Sequence, residues 1–232
     1  MKCLIAGDSF AMPTEELAYE DTWPHLLYEE MPGLEIISKA ERSRSVRSLN
    51  TGGYKGNGWD FLELIAPDFV IMHLGISDCA PRLLKREATL TKLLNLLPFS
   101  KMIYNIVRKT KGRTISCSDL SPEVFYDNVA RYMKRAQDMG VTVFIIKISN
   151  GGQKVIKISP HFNEAVDLYN TVFDRIGKEF NNAVLIEGID GSDESVFQSD
   201  GIHLLKNGNQ IIFNRLKAAI KEHINHTPLA DI

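Results

Sequence analysis

The stretch "DFVIMHLG", residues 68–75, decides the fold. Five apolar or aromatic-ring residues run without a polar break between Asp68 and the closing Leu74-Gly75 pair. An amphipathic strand would alternate, whereas a continuous run of this length bounded by a glycine suits a strand buried on both faces. Such strands belong to parallel sheets covered by helices. Working outward, "CLIAG" (3–7) and "VTVFIIKIS" (141–149) repeat the pattern, and "LEIISKA" (34–40) and "NAVLIEG" (182–188) are weaker versions of it. Between them lie helical patterns. In residues 121–140, Ser121 is placed to cap, Pro122 to occupy the first helical position and Gly140 to stop the helix. Phe125, Val129, Tyr132, Ala136 and Met139 then recur at helical spacing. Residues 160–180 carry a second stripe (Phe162, Val166, Tyr169, Phe173, Ile176, Phe180), and Ile212, Leu216 and Ala219 a third. This alternation predicts an α/β fold: a doubly wound parallel sheet of about five strands with helices on both faces.

Composition narrows the class. The chain has 232 residues, 44% hydrophobic and 24% charged, as expected of a globular protein and read as one domain over 1–232. A formal net charge of −2 gives no general reason to expect nucleic-acid binding. Cys3, Cys79 and Cys117 form neither a disulfide framework nor a zinc pattern, and no His or Cys pair has metal-ligand spacing, so no metal and no cofactor are expected. No segment has the length of a membrane span and the N-terminal apolar run is too short for a secretory signal, so the expected location is cytoplasmic, with peripheral membrane contact left open. One segment stands apart: between Arg82 and Arg113 nine basic residues face one acid, Glu87. It reads as a basic helical insertion at about 82–113, either a solvated hairpin or a cap favouring an anionic or membrane-associated substrate.

In an open α/β sheet, ligands bind beyond the carboxyl ends of the strands. Three polar clusters fall there: Gly7-Asp8-Ser9, "GISDCAPR" from Gly75 to Arg82, and "SDGIH" from Ser199 to His203. A serine hydroxyl is a poor nucleophile until a base takes its proton. An imidazole does that near neutral pH, and a carboxylate can hold its second nitrogen in the required tautomer. Ser9, His203 and Asp200 supply those three roles. The Gly-x-Ser-x-Gly elbow of the α/β-hydrolases is absent around Ser9. "TGGYKGNGWD" (51–60) lacks the phosphate-loop pattern and reads as a loop near the cleft, with Tyr54 and Trp59 candidates for stacking on a sugar. His73 reads as a core histidine, and His161 as a helix-start residue that could approach the site.

These motifs resemble the SGNH, or GDSL-type, hydrolases over nearly the whole chain: "GDS" at the start, a Gly-led block after the third strand and Asp-x-x-His near the end. The resemblance implies a flavodoxin-like sandwich and a serine esterase without a metal, with Ser9 the nucleophile, His203 the base and Asp200 its orienting acid. It implies an oxyanion hole from the Ser9 N–H, a second-block N–H near Ser43 (between Arg42 and Arg44) and the third block led by Gly75. The family's third block reads Gly-x-Asn-Asp, whereas here it is Gly75-Ile76-Ser77-Asp78, so Ser77 stands where the amide donor is expected. Asp8, Asp78 and Arg82 are the remaining candidates for substrate contact. Asp8 and Asp78 read rather as acids that fix their loops by side-chain hydrogen bonds, and Arg82 either binds an anionic group or pairs with Asp78. "GISDCAPR" looks like a variant block associated with surface-polysaccharide synthesis, which leans the expected substrate toward an acylated carbohydrate or related small ester. An O-acyltransferase using the same residues, and an impaired domain that binds a glycan or a partner protein, are the alternatives.

Overall fold

The computed structural model describes residues 1–50, 59–82 and 117–226, with Trp59, Asp60 and His226 described by backbone alone. Residues 83–113 of the basic insertion, Tyr54 and the Trp59 side chain therefore lie outside the described residues. Five parallel strands, β1 (Lys2–Gly7), β2 (Glu35–Ser38), β3 (Phe69–His73), β4 (Thr142–Ile146) and β5 (Ala183–Ile186), form a sheet of order β2-β1-β3-β4-β5. This is the flavodoxin-like order, with its switch point between β1 and β3. Every residue of β3 is buried, as are the last five of β1 and the last four of β4, which accounts for their unbroken apolar runs. Edge strands β2 and β5 are only partly covered and carry correspondingly weaker patterns. Registers Gly7↔His73 and Ala6↔Met72 bring the ends of β1 and β3 level, so the loops that follow them leave side by side.

Described α-helices are α1 (Trp23–Glu30), α2 (Trp59–Ile65), α3 (Ile76–Cys79), α4 (Pro122–Asp138), α5 (Gln153–Ile158), α6 (Phe162–Glu179) and α7 (Lys206–His226). Helix α4 starts as its sequence predicts: the Ser121 hydroxyl accepts from the Val124 N–H and Pro122 sits in the first turn. It packs on α6, and α1 packs on α7, giving the two helical layers. Phe125 of α4 meets Tyr169 and Phe173 of α6 edge to face, at 5.1 and 5.3 Å between ring centroids. Each such fully buried ring contributes about 1.5–3 kcal/mol by removal from water. The short helices α1 and α5 were not anticipated from periodicity, because eight and six residues hold barely two turns of pattern. Among the described residues no helix is long and apolar enough to cross a membrane.

Candidate active site

Ser9 leaves the carboxyl end of β1 on a three-residue 3-10 turn, Ser9–Ala11. Asp8 starts that turn: its N–H donates to the His73 carbonyl at the end of β3 (3.1 Å), and its Oδ1 accepts from the Phe10 N–H (3.0 Å). The turn is held from below by Trp23, fully buried, whose indole N–H donates to the Phe10 carbonyl (3.1 Å). The nucleophile candidate is thus fixed by backbone contacts on both sides.

His203 arrives from the loop between β5 and α7. Its Nε2 lies 2.9 Å from Ser9 Oγ, and its Nδ1 lies 2.5 Å from Asp200 Oδ2. The other Asp200 oxygen accepts from the N–H groups of Ile202 (2.8 Å) and His203 (3.0 Å), so one carboxylate both shapes the loop and orients the ring. Gly201 sits at φ +72°, and a Cβ there would stand 2.8 Å from the Val155 N; only glycine closes this turn without strain. Burial opposes ionisation of Asp200, but the His203 ring and the two backbone N–H groups outweigh it and hold its carboxyl down at about 2. The Phe10 ring stacks on the His203 ring at 5.3 Å and 27° between planes, limiting its rotation.

The oxyanion candidates occupy two loops tied to the same strand ends. The segment after β2 returns to β1 through Lys39 N–H to Ile5 O (2.9 Å) and Glu41 N–H to Gly7 O (3.2 Å). Within it Ser43 adopts φ +60°, a left-handed conformation that glycine takes at little cost and serine does not. The backbone geometry usual for glycine is therefore kept by a different residue. Ser43→Gly is expected to raise unfolding free energy by about 0.5–1 kcal/mol, the relieved strain less the extra entropy of the unfolded glycine. Urea denaturation checks this; an unchanged or less stable variant would mean that side-chain contacts of Ser43 outweigh the strain. Gly75, at φ +124°, precedes α3, and a Cβ there would lie 2.7 Å from the Ile148 side chain. Ser77 follows in α3, 6% exposed.

Asp78 joins the two loops. It is fully buried, and its carboxylate accepts from the Ser45 hydroxyl (2.5 Å) and the Val46 N–H (2.9 Å). Asp8 is equally enclosed at 1% exposure; burial pushes its carboxyl up to about 7, against the Phe10 N–H, His203 and Arg44, which favour its charge, while Asp78 disfavours it. Neither acid is open to a substrate in this placement. Arg82 Nε lies 2.9 Å from Asp119 Oδ2 and its Nη2 donates to the Ser77 carbonyl (3.2 Å), so Asp119 is a partner that the sequence reading did not name. Arg44 is buried and structural, donating to Ser48 Oγ (2.8 Å) and the Lys39 carbonyl (2.5 Å). His73 lies in the core as expected, but its Nδ1 has no hydrogen-bond partner among the described residues, and burial pulls its ring down to about 3. His161 is exposed and faces Glu164 (2.8 Å). Among the described residues no cluster of three or more His, Cys, Asp or Glu could hold a metal ion. Phe10, Ser45 and Asp119 were missed in the sequence; the polar run "ERSRSVRS" (41–48) was the one hint of Ser45.

No family model and no curated protein matches the chain. Solved structures do. The psychrotrophic esterase EstA from Pseudoalteromonas sp. superposes with a TM-score of 0.59 at 16% identity, over 97% of this chain and 99% of its own. The acetyl xylan esterase AlAXEase gives 0.62 at 15% identity, over 95% and 100%. A GDSL-like lipase from Bacteroides thetaiotaomicron VPI-5482 gives 0.58 at 11%, over 96% and 88%. The chain thus has the fold of the SGNH, or GDSL-type, hydrolases. Identities this low speak for the fold, and the chemistry has to be argued from the residues.

Proposed function

We propose that the protein is a serine ester hydrolase acting on an acylated carbohydrate or a related small ester. The observation that carries this reading is the continuous hydrogen-bonded line Ser9 Oγ–His203 Nε2–His203 Nδ1–Asp200 Oδ2, with links of 2.9 and 2.5 Å. With Nδ1–H donated to Asp200, the lone pair on Nε2 faces the Ser9 hydroxyl. His203 takes that proton as Ser9 Oγ attacks the ester carbonyl, and Asp200 stabilises the imidazolium that forms. The oxyanion is met by the N–H groups of Ser9 and Ser43 and the hydroxyl of Ser77. His203 then protonates the leaving alkoxide, and a water activated by the same ring resolves the acyl-enzyme. Asp8 and Asp78 are assigned no direct contact with substrate. Arg82 is kept as the group for an anionic substituent of the substrate, with Asp119 beside its guanidinium. The carbohydrate preference is supported by the third-block variant and by the similarity of fold to an enzyme described as an acetyl xylan esterase.

A fluorophosphonate probe tests the reading. Labelling of the native protein, abolished in Ser9→Ala and in His203→Ala, is the expected result, followed by acetate release from acetylated sugars. No labelling of correctly folded native protein would reject an activated nucleophile and favour a binding role.

A further inference from the structure

The base and the nucleophile are 194 residues apart in the chain, so something must hold the Asp200–His203 loop at hydrogen-bond distance from Ser9. The segment just after the nucleophile, Pro13 to Leu17, touches both neighbouring loops. Thr14 Oγ1 donates to Gln198 Oε1 (2.9 Å), and the buried Gln198 amide in turn donates to the Leu204 carbonyl (2.8 Å). The Gln198 N–H also donates to the His203 carbonyl (2.8 Å). Glu16 accepts from the Ser199 N–H with both oxygens (2.9 and 3.2 Å) and from the Ser199 hydroxyl, one residue before Asp200. On the other side the Arg42 guanidinium donates to the Pro13 carbonyl (2.8 Å), one residue before Ser43. The segment is itself closed by reciprocal Thr14 and Leu17 backbone bonds (3.0 and 3.4 Å), and Leu17 is buried.

An exposed glutamate spending three acceptor contacts on one serine 183 residues away is not explained by solubility or by local turn formation. We infer that Pro13–Leu17 is a strap that sets the position of the catalytic base, with Glu16 its positioning residue. This rests on the ester-hydrolase reading for its consequence, though not for its geometry. The strap acts through the loop: Thr14 and Glu16 hold Gln198 and Ser199, and these carry Asp200 and His203. Loss of one clip lets His203 drift, and a misplacement near 1 Å costs roughly 10²-fold in rate. Glutamine can replace the carboxylate, since its carbonyl accepts the Ser199 N–H and its amide donates to Ser199 Oγ.

The test compares native protein with Glu16→Ala, Glu16→Gln and Thr14→Val. Two readouts are taken: the second-order rate of fluorophosphonate labelling, and the far-downfield proton resonance of His203 Nδ1–H on Asp200. A thermal melt by circular dichroism verifies folding. Expected is labelling slowed about 10- to 100-fold in Glu16→Ala with the downfield resonance broadened away, the same direction in Thr14→Val, and recovery of most of both signals in Glu16→Gln. Native rate and resonance in Glu16→Ala, or a Glu16→Gln as slow as the alanine variant, overturns the strap. If native protein does not label at all, the ester-hydrolase reading falls separately. The resonance then decides alone: its loss in Glu16→Ala supports the strap and its persistence overturns it.

Discussion

Ester cleavage in His203→Ala is expected to fall by about 10⁶, with no further loss when Ser9 is removed as well. On the proposed mechanism the two groups act as a unit: a serine without its base is an un-ionised alcohol, and a base without its serine has nothing to activate. The informative companion is Asp200→Asn. An asparagine keeps an oxygen for the Ile202 and His203 N–H groups that shape the loop. Its amide, however, donates toward His203 Nδ1 where the carboxylate accepts. That selects the tautomer with the proton on Nε2, which points a donor at Ser9 where an acceptor is needed. A loss of about 10⁴ with a native melt is expected. Steady-state hydrolysis of p-nitrophenyl acetate measures both variants, and an Asp200→Asn enzyme within tenfold of native would remove Asp200 from its assigned role.

The second large effect is on stability rather than rate. Asp8 is buried next to Ser9 in the chain, and burial raises its carboxyl from the ordinary 3.8 to about 7. A raised folded value means that the native state holds a proton the unfolded chain has released. The favourable contribution is complete below about 4 and is lost progressively as pH rises to about 7, after which it is flat. The shift corresponds to a loss of about 4 kcal/mol across that window. Asp8→Asn keeps the oxygen that accepts from Phe10 N–H and cannot titrate, so its stability relative to native should climb from pH 4 to 7 and level off above. Burial sets the raised native value; the Phe10 N–H, His203 and Arg44 temper it and Asp78 adds to it, while His73, at about 3, stays neutral throughout the window. Urea unfolding at pH 4, 5.5, 7 and 8.5 checks this. The slope of the difference is the test, since the buried amide adds a constant cost of its own. A difference independent of pH would show Asp8 ionised in the native state across the range. Asp200 has the opposite linkage: with its folded value near 2, its contribution is present above about 4 and lost as pH falls toward 2.

The three central strands were legible because burial on both faces leaves no polar position in the run, as in Phe69 to His73. The helices of residues 122–138 and 162–179 were legible from caps and a long stripe, and the shorter Gln153–Ile158 was not. Ser9, Asp200 and His203 could be named because each sits in a short motif, Ser9 just past β1 and the other two in the loop before α7, and the structure places them within hydrogen-bond distance. Arg82 illustrates the limit. Asp78, four residues before it, was the partner offered by the sequence, whereas Asp119, which lies 2.9 Å from Arg82 Nε, comes from far along the chain and could not be read there. Glu16 looked like one acid among several in "TEELAYED" (14–21).

By itself, then, the sequence determined the parallel sheet, its main helices and the residue types able to carry acyl chemistry, since strand burial, helix capping and turn-forming glycines are local or periodic properties. Tertiary structure alone decided who pairs with whom: that Asp78 locks the second and third loops together, that Ser43 holds a left-handed turn, and that Glu16 reaches Ser199. Those pairings follow from how the strand ends are brought level in the folded sheet, which puts residues nearly two hundred positions apart within 3 Å of each other.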